Sequence, residues 1–261
     1  MLEIKDAGYA VGKKWLLQNV SYQFTPGKCY MICGPNGAGK STLMKLLSLL
    51  LIPDSGEVYY NNSKVNYSKK EEYAKYRAVL SQQVDISFPM EVEEVVMMGR
   101  YPHFKINPTK EDNEICNEII ALQDLEAFRK RNFLTLSGGE KQRVQFARVL
   151  AQIWKMPKDG SRILLLDEPI SSLDIKYQFD FLQHVKQFLN DKTIVIAILH
   201  DLNLALNYAD EIILLNKGKL FASGNPADVL SPQNIDKVFQ LNFKLHQFND
   251  VQFLWPTMQM H

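Results

Sequence analysis

Residues Cys33 to Thr42 read CGPNGAGKST, and LMKLLSLLL follows at once. Three glycines, a proline and an asparagine interrupt an apolar run and then give way to residues with helical texture. Gly34, Pro35, Asn36, Gly37, Ala38, Gly39, Lys40 and Ser41 fit G-x-x-x-x-G-K-[ST], with Thr42 as a second hydroxyl. Glycines let such a loop bend until its amide hydrogens face inward, making a concave anion site. The next helix adds its positive end. The preceding KCYMIC, nearly all apolar, reads as a central strand. Strand, loop and helix together predict a cradle for a nucleoside triphosphate. Lys40 would reach the β- and γ-phosphates and Ser41 would ligate Mg²⁺.

Two further segments extend that chemistry. ILLLDEP, Ile163 to Pro169, is an apolar strand ending in two acids. Asp167 at its tip would hold Mg²⁺ through water, and Glu168 would orient and polarise an attacking water. LSGGEKQRV, Leu136 to Val144, places Ser137 as a helix cap followed by Gly138 and Gly139. Two adjacent glycines cost a helix about 1 kcal/mol each, more than a bare cap requires. They expose backbone amides at a second anion-binding helix end.

Along the chain, LEIKDAGYA and QNVSYQF alternate as half-buried antiparallel strands, and SGEVYYNNSKV reads as a hairpin. The first helix is expected to run to about Leu51, and YRAVLSQ is a further strand. From about residue 89 to 153 the pattern turns helical, as for an insert, with MEVEEVVMMG, KEDNEICNEIIALQDL and GGEKQRVQFARVLAQI. RILLLDE and TIVIAILHD return to strands, flank a helix near Ile175–Leu189, and precede a hairpin turning at NKGK. Strands alternating with helices imply α/β architecture with a mixed, mainly parallel sheet.

The 261 residues carry a formal net charge of +1, so no global field draws the chain to nucleic acid or to an anionic membrane. No apolar stretch is long enough to span a bilayer, and MLEIKDAGYA lacks the layout of a secretory leader. Cys29, Cys33 and Cys116 show no metal-ligand spacing and are expected to be reduced core residues. Asn61–Ser63 is expected to be a turn, and FRKR, Phe128 to Arg131, a solvated loop or helix end.

The phosphate loop, LSGGE, LLLDEP, SSLD and ILHD, in this order, resemble the ATP-binding cassette (ABC) ATPases. The likeness runs from about Leu2 to Phe239 and leaves residues 240–261 as a tail, expected to form a strand or to pack on the core and without an assigned role. It implies a P-loop NTPase core with an N-terminal antiparallel β subdomain and a helical insert. It also implies a homodimer in which each ATP lies between one phosphate loop and the partner's Ser137, Gly138, Gly139 and Glu140. By the same resemblance Tyr9 would stack on adenine, Gln82 would reach Mg²⁺ and water, and Asp174 would cross the dimer interface. His200 would stand beside the γ-phosphate. Ile170 departs from the family's usual threonine, a change expected to alter packing.

A chain without a membrane span needs separate transmembrane subunits to take part in transport. The resemblance implies two permease subunits, a periplasmic or surface substrate-binding protein, and a peripheral location on the cytoplasmic side of the inner membrane. The permease would dock beside SFPMEVEEVVMMGRYPHF, Ser87 to Phe104, where GRYPHF is expected to make partner contact. MGRYPH is similar to the matching segment of ferric-siderophore, cobalamin and haem importers. RVLAQIW and the polar loop KMPKDGSR are similar to ATP-binding subunits of haemin importers. His103 is not expected to ligate iron. Siderophore and cobalamin import stay open as alternatives, and a soluble non-transport ATPase or an ATP-binding regulator is a more distant one.

Overall fold

The computed structural model describes residues 1–81, 86–171, 173–249 and 251–257. The chain opens with a hairpin, β1 (Leu2–Val11) and β2 (Lys14–Phe24), then β3 (Lys28–Cys33) and α1 (Lys40–Leu47). Next come β4 (Ser55–Tyr60), β5 (Ser63–Lys64), α2 (Lys70–Tyr73) and β6 (Arg77–Leu80). Three helices follow: α3 (Val92–Met98), α4 (Lys110–Leu122) and α5 (Gly138–Gln152). The second half runs β7 (Arg162–Asp167), α6 (Ile175–Phe188), β8 (Thr193–Ile198), α7 (Leu202–Tyr208), β9 (Glu211–Asn216) and β10 (Lys219–Gly224). It closes with α8 (Pro226–Val229), α9 (Pro232–Phe239), β11 (Phe243–Phe248) and β12 (Val251–Pro256).

The central sheet has the order β10-β9-β3-β8-β7-β6, parallel throughout except for the β9–β10 hairpin. A separate antiparallel sheet, β2-β1-β4-β5, comes mostly from the N-terminal region. Asn61 and Asn62 make the β4–β5 turn with φ of 48° and 64°, as Asn tolerates.

Strands β3, β7 and β8 are buried along almost their whole length, as parallel strands covered on both faces must be. The two-residue period of each strand divides its side chains between two cores. Ile163 and Leu165 face one core with Leu43, Leu46 and the N-terminal sheet. Leu164 and Leu166 face the other, with Val95, Ile119, Val149 and Leu182. The helical segment therefore shares a continuous core with one face of the sheet. Its helices meet closely at Gly99, where an added methyl would lie 2.0 Å from the Arg148 carbonyl oxygen.

Two buried arginines fix the rim. Arg100 Nε donates to Asp112 Oδ1 at 2.9 Å and its Nη1 to the Ala151 carbonyl at 2.7 Å. Arg162 has no carboxylate partner among the described residues. It donates to Thr193 Oγ1 and to the carbonyls of Ile153, Trp154 and Phe188, tying the start of β7 to the ends of α5 and α6. Burial lowers its guanidinium pKa to about 10.

The structure departs from the sequence expectations at the end of α1 and after β10. Helix α1 stops at Leu47 because Leu49 takes φ 59° and the amides of Leu50 and Leu51 turn back onto the Lys45 carbonyl. Helices α8 and α9, not anticipated, start at prolines after Asn225 and Ser231. The tail meets its expectation of a strand or core packing: it forms the β11–β12 hairpin and buries Leu254 in the main core.

Candidate active site

Three neighbouring strands end on one side of the sheet. Register pairs Ile32 of β3 with Ile198 of β8, and Ile198 with Asp167 of β7. The segments that follow, the loop at 34–39, His200 and Glu168, therefore emerge side by side at the carboxyl ends of parallel strands, where such sheets bind ligands.

The loop is shaped by its glycines. Gly34, Gly37 and Gly39 have φ of 145°, 76° and 101°. A methyl at Gly34 would meet the Leu215 carbonyl oxygen at 2.3 Å, and one at Gly39 would meet Leu17 Cδ2 at 2.7 Å. Around Gly37 there is open space within 4 Å. The Ala38 amide folds back to the Pro35 carbonyl at 3.1 Å, and the Ala38 carbonyl accepts from the Gly218 amide. The first bond of α1 runs from the Leu43 amide to the Gly39 carbonyl, which leaves the preceding amides at the mouth.

Lys40 is only 6% exposed, and its Nζ donates to the carbonyls of Gly34 (2.7 Å) and Pro35 (3.1 Å). Burial lowers its pKa, and Glu168 opposes that shift. Asp167 moves the other way: burial raises its pKa, with Glu168 adding to the rise. A buried cation beside two acids and two hydroxyls suits a Mg²⁺–triphosphate group, whose phosphates would meet Lys40 and whose cation would meet Ser41 and Asp167.

Glu168 itself has φ 51°, a left-handed conformation rare for a side chain of this size. His200 Nε2 stands 2.6 Å from Glu168 Oε1. A cavity of about 260 Å³ gathers Asn36, Gly37, Gly39, Lys40, Ser41, Thr42, Glu168 and His200 around one space, with Leu16 on its wall. Leu16, which lies in the apolar stretch of β2, carried no chemical signal in the sequence. Tyr9 is half-buried against the adjoining core and is not among the lining residues. Gln82 lies outside the described residues.

The second helix end forms as expected of a cap but stands apart from this cavity. Ser137 caps α5: its amide donates to Glu140 Oε2 at 2.7 Å, and the Glu140 amide returns a 3.4 Å bond to Ser137 Oγ. The backbone bond from Ser137 holds the Glu140 carboxyl below its ordinary range. A methyl on Gly138 would meet nothing within 4 Å, and Ser137 is exposed. None of Ser137, Gly138, Gly139 and Glu140 lines the phosphate-loop cavity. Asp174, exposed, precedes α6 without capping it.

The sequence reading missed Gln142. Its Nε2 donates to the Pro169 carbonyl at 2.6 Å, joining the capped helix directly to the segment after Glu168. It lies one helical turn past Gly138, a spacing that could have revealed it. Ile170 is buried in the main core.

Beside α3 and α4 a second hollow, of about 440 Å³, is lined by Met90, Met97, Tyr101, Phe104 and Ile106 among others. Tyr101 is exposed and packs edge-on to Phe104 at 5.7 Å between ring centres. His103 turns inward instead, its Nε2 2.7 Å from the Gln152 carbonyl oxygen. Arg129 and Lys130 of FRKR pair with Glu93, Glu126 and Glu91, so that basic run is matched by local acids. Among the described residues no helix is long and apolar enough to cross a membrane.

Comparisons with known proteins point one way. A family described as ABC transporter matches residues 17–171. The chain is 43% identical over 240 residues to the hemin import ATP-binding protein HmuV of Escherichia coli O157:H7, covering 92% of each. The ADP conformation of MJ1267, an ATP-binding cassette of an ABC transporter, superposes with a TM-score of 0.80 at 25% identity, covering 92% of this chain and 98% of that one. The dimeric cassette MJ0796 bound to ADP and Pi superposes with a TM-score of 0.73 at 27% identity, covering 87% and 99%.

Proposed function

The chain belongs to the ABC transporter family, and we propose that it is the ATP-hydrolysing subunit of an importer that carries haem across the cytoplasmic membrane. The observation that carries the catalytic reading is the convergence of Lys40, Ser41, Glu168 and His200 on one cavity that excludes the capped end of α5. A site with half its anion-binding groups facing elsewhere fits a sandwich of two copies, each supplying Ser137, Gly138 and Gly139 to the other's ATP. The haem reading rests on likeness to a hemin import protein over 92% of both chains.

In this reading the loop amides and Lys40 hold the β- and γ-phosphates. Ser41, Asp167 and Gln82 would hold Mg²⁺, which supplies positive charge to the phosphate oxygens. Glu168 orients water in line with the γ-phosphate, and His200 and Lys40 stabilise the charge that develops. His200 contacts Glu168 through Oε1, which ties the position of the ring to that of the carboxylate. Tyr9 would stack on adenine from the rim and Asp174 would cross the interface. The dimer would work peripherally beneath two permease subunits, fed by a substrate-binding protein outside, with Tyr101 and Phe104 against the permease.

Reconstitution with its permease in vesicles tests the assignment. ATP-driven haem uptake is expected, and Lys40→Ala should abolish it. Uptake of a ferric siderophore or cobalamin but not of haem would overturn the substrate assignment.

A further inference from the structure

The tail hairpin is fastened to the helix that begins immediately after His200. Asp201 caps α7, its carboxylate accepting from the amides of Asn203 (2.8 Å) and Leu204 (3.1 Å). The Asn203 side chain then lies along β12 and makes two backbone bonds to a single residue. The Leu254 amide donates to Asn203 Oδ1 at 2.6 Å, and Asn203 Nδ2 donates to the Leu254 carbonyl at 3.3 Å. One turn later Asn207 Nδ2 donates to the Gln252 carbonyl at 2.9 Å. Two asparagines thus satisfy backbone groups of β12 at alternate residues, as a neighbouring strand would. Leu254 itself, 2% exposed, is buried in the same core as Leu204, Ala205 and Leu206.

The linkage is short. From the β12 backbone it passes through Asn203 to the capped first turn of α7, and from there to His200, three residues before Asn203. His200 sits on no regular element of its own, since β8 ends at Ile198 and α7 begins at Leu202. Its position is fixed between the end of β8 and the start of α7, beside Glu168, and the tail is one of the anchors of α7.

We propose that Asn203 and Asn207 are positioning residues, and that the C-terminal hairpin, through them, sets where His200 stands relative to the γ-phosphate. This rests on the role given to His200 above. It assigns a task to the tail, which the sequence left without one: a buttress for His200.

The test is a double-mutant cycle on the full chain, reading steady-state ATPase activity. Asn203→Ala is expected to lower kcat roughly tenfold or more while KM for ATP changes less than about twofold, because misplacing a catalytic group acts on turnover. Placed in a His200→Ala background, Asn203→Ala should cause no further loss, since both act through one ring. Asn203→Asp keeps the acceptor for the Leu254 amide and should restore part of kcat. If Asn203→Ala fails to fold, Asn207→Ala carries the same comparison. Full activity in the asparagine variants alongside a defective His200→Ala would overturn the proposal, as would losses that add to that of His200→Ala. Full activity in His200→Ala would instead overturn the role of His200 itself.

Discussion

At Glu168 the backbone takes φ 51°, a left-handed conformation that costs a residue with a Cβ about 1–2 kcal/mol. The strain falls where β7 must turn to put a carboxylate over the phosphate loop, and sites of chemistry are where such strain persists. Its neighbour across the cavity, Lys40, is held by two loop carbonyls that a triphosphate would displace. Lys40→Ala should therefore lower kcat by ~10²–10³, the usual cost of deleting a preorganised charge donor. A single-turnover assay with magnesium and ATP measures it, and near-native turnover would remove Lys40 from the catalytic set.

Arg100 and Asp112 present a different residue-scale case. Both side chains are almost fully buried and bonded to each other. Burial, the largest influence on Asp112, pushes its pKa up. The hydrogen bonds from Thr109 and Arg100 outweigh it and leave the carboxyl below its ordinary value of 3.8. The stability contributed by that ionised carboxylate is complete above 3.8 and drains away as pH falls through the lower folded value. Arg100→Leu strands the carboxylate and should cost ~3–5 kcal/mol in a urea titration at neutral pH. An unchanged midpoint would show that the pair is not structural.

Among the elements, those that carry chemistry were legible and those that only support it were less so. The strand–loop–helix at 28–47 follows from glycines, a lysine and flanking apolar runs, each of which has one good structural use. Helix α1 ends short of the expected Leu51, an end that could not be read because LLSLLLIP, apolar but for Ser48, offers no usual turn residue before Pro53. The turn falls at Leu49, a buried residue with φ 59° and not a usual turn former. KMPKDGSR read as a polar loop, yet its last residue is the buried arginine that ties β7 to α5 and α6. Arginine in a polar stretch looks solvated until the surrounding carbonyls are in place. The strand character and core packing of the tail were legible, but its anchoring was not, since its partners are two asparagine side chains far away in sequence. At the scale of one exposed turn, Tyr101 lines an apolar hollow outside the catalytic cavity. Tyr101→Ala should leave the basal ATPase rate within about twofold while weakening permease-coupled transport, since exposed surface changes away from the site rarely disturb the fold. Loss of basal activity would show that this turn supports the active site and not the coupling surface.

For the whole molecule, the informative fact is a separation. The sequence contains two helix starts expected to bind anions, and the fold places them apart: one opens into the phosphate-loop cavity, while the other, capped by Ser137, faces outward. That separation has a chemical use if a second copy, turned about a two-fold axis, brings its Ser137, Gly138 and Gly139 over the first copy's ATP. The sequence motifs made this legible only through resemblance, since no periodicity tells which helix end meets which loop. Gln142 supplies a direct contact inside each chain between the capped helix and the segment after Glu168. The most direct test is sedimentation of Glu168→Gln with saturating ATP and magnesium. The account predicts a stable dimer that dissociates when Ser137 and Gly139 are also replaced by bulky residues, whereas a protein that stays monomeric with nucleotide bound would contradict it.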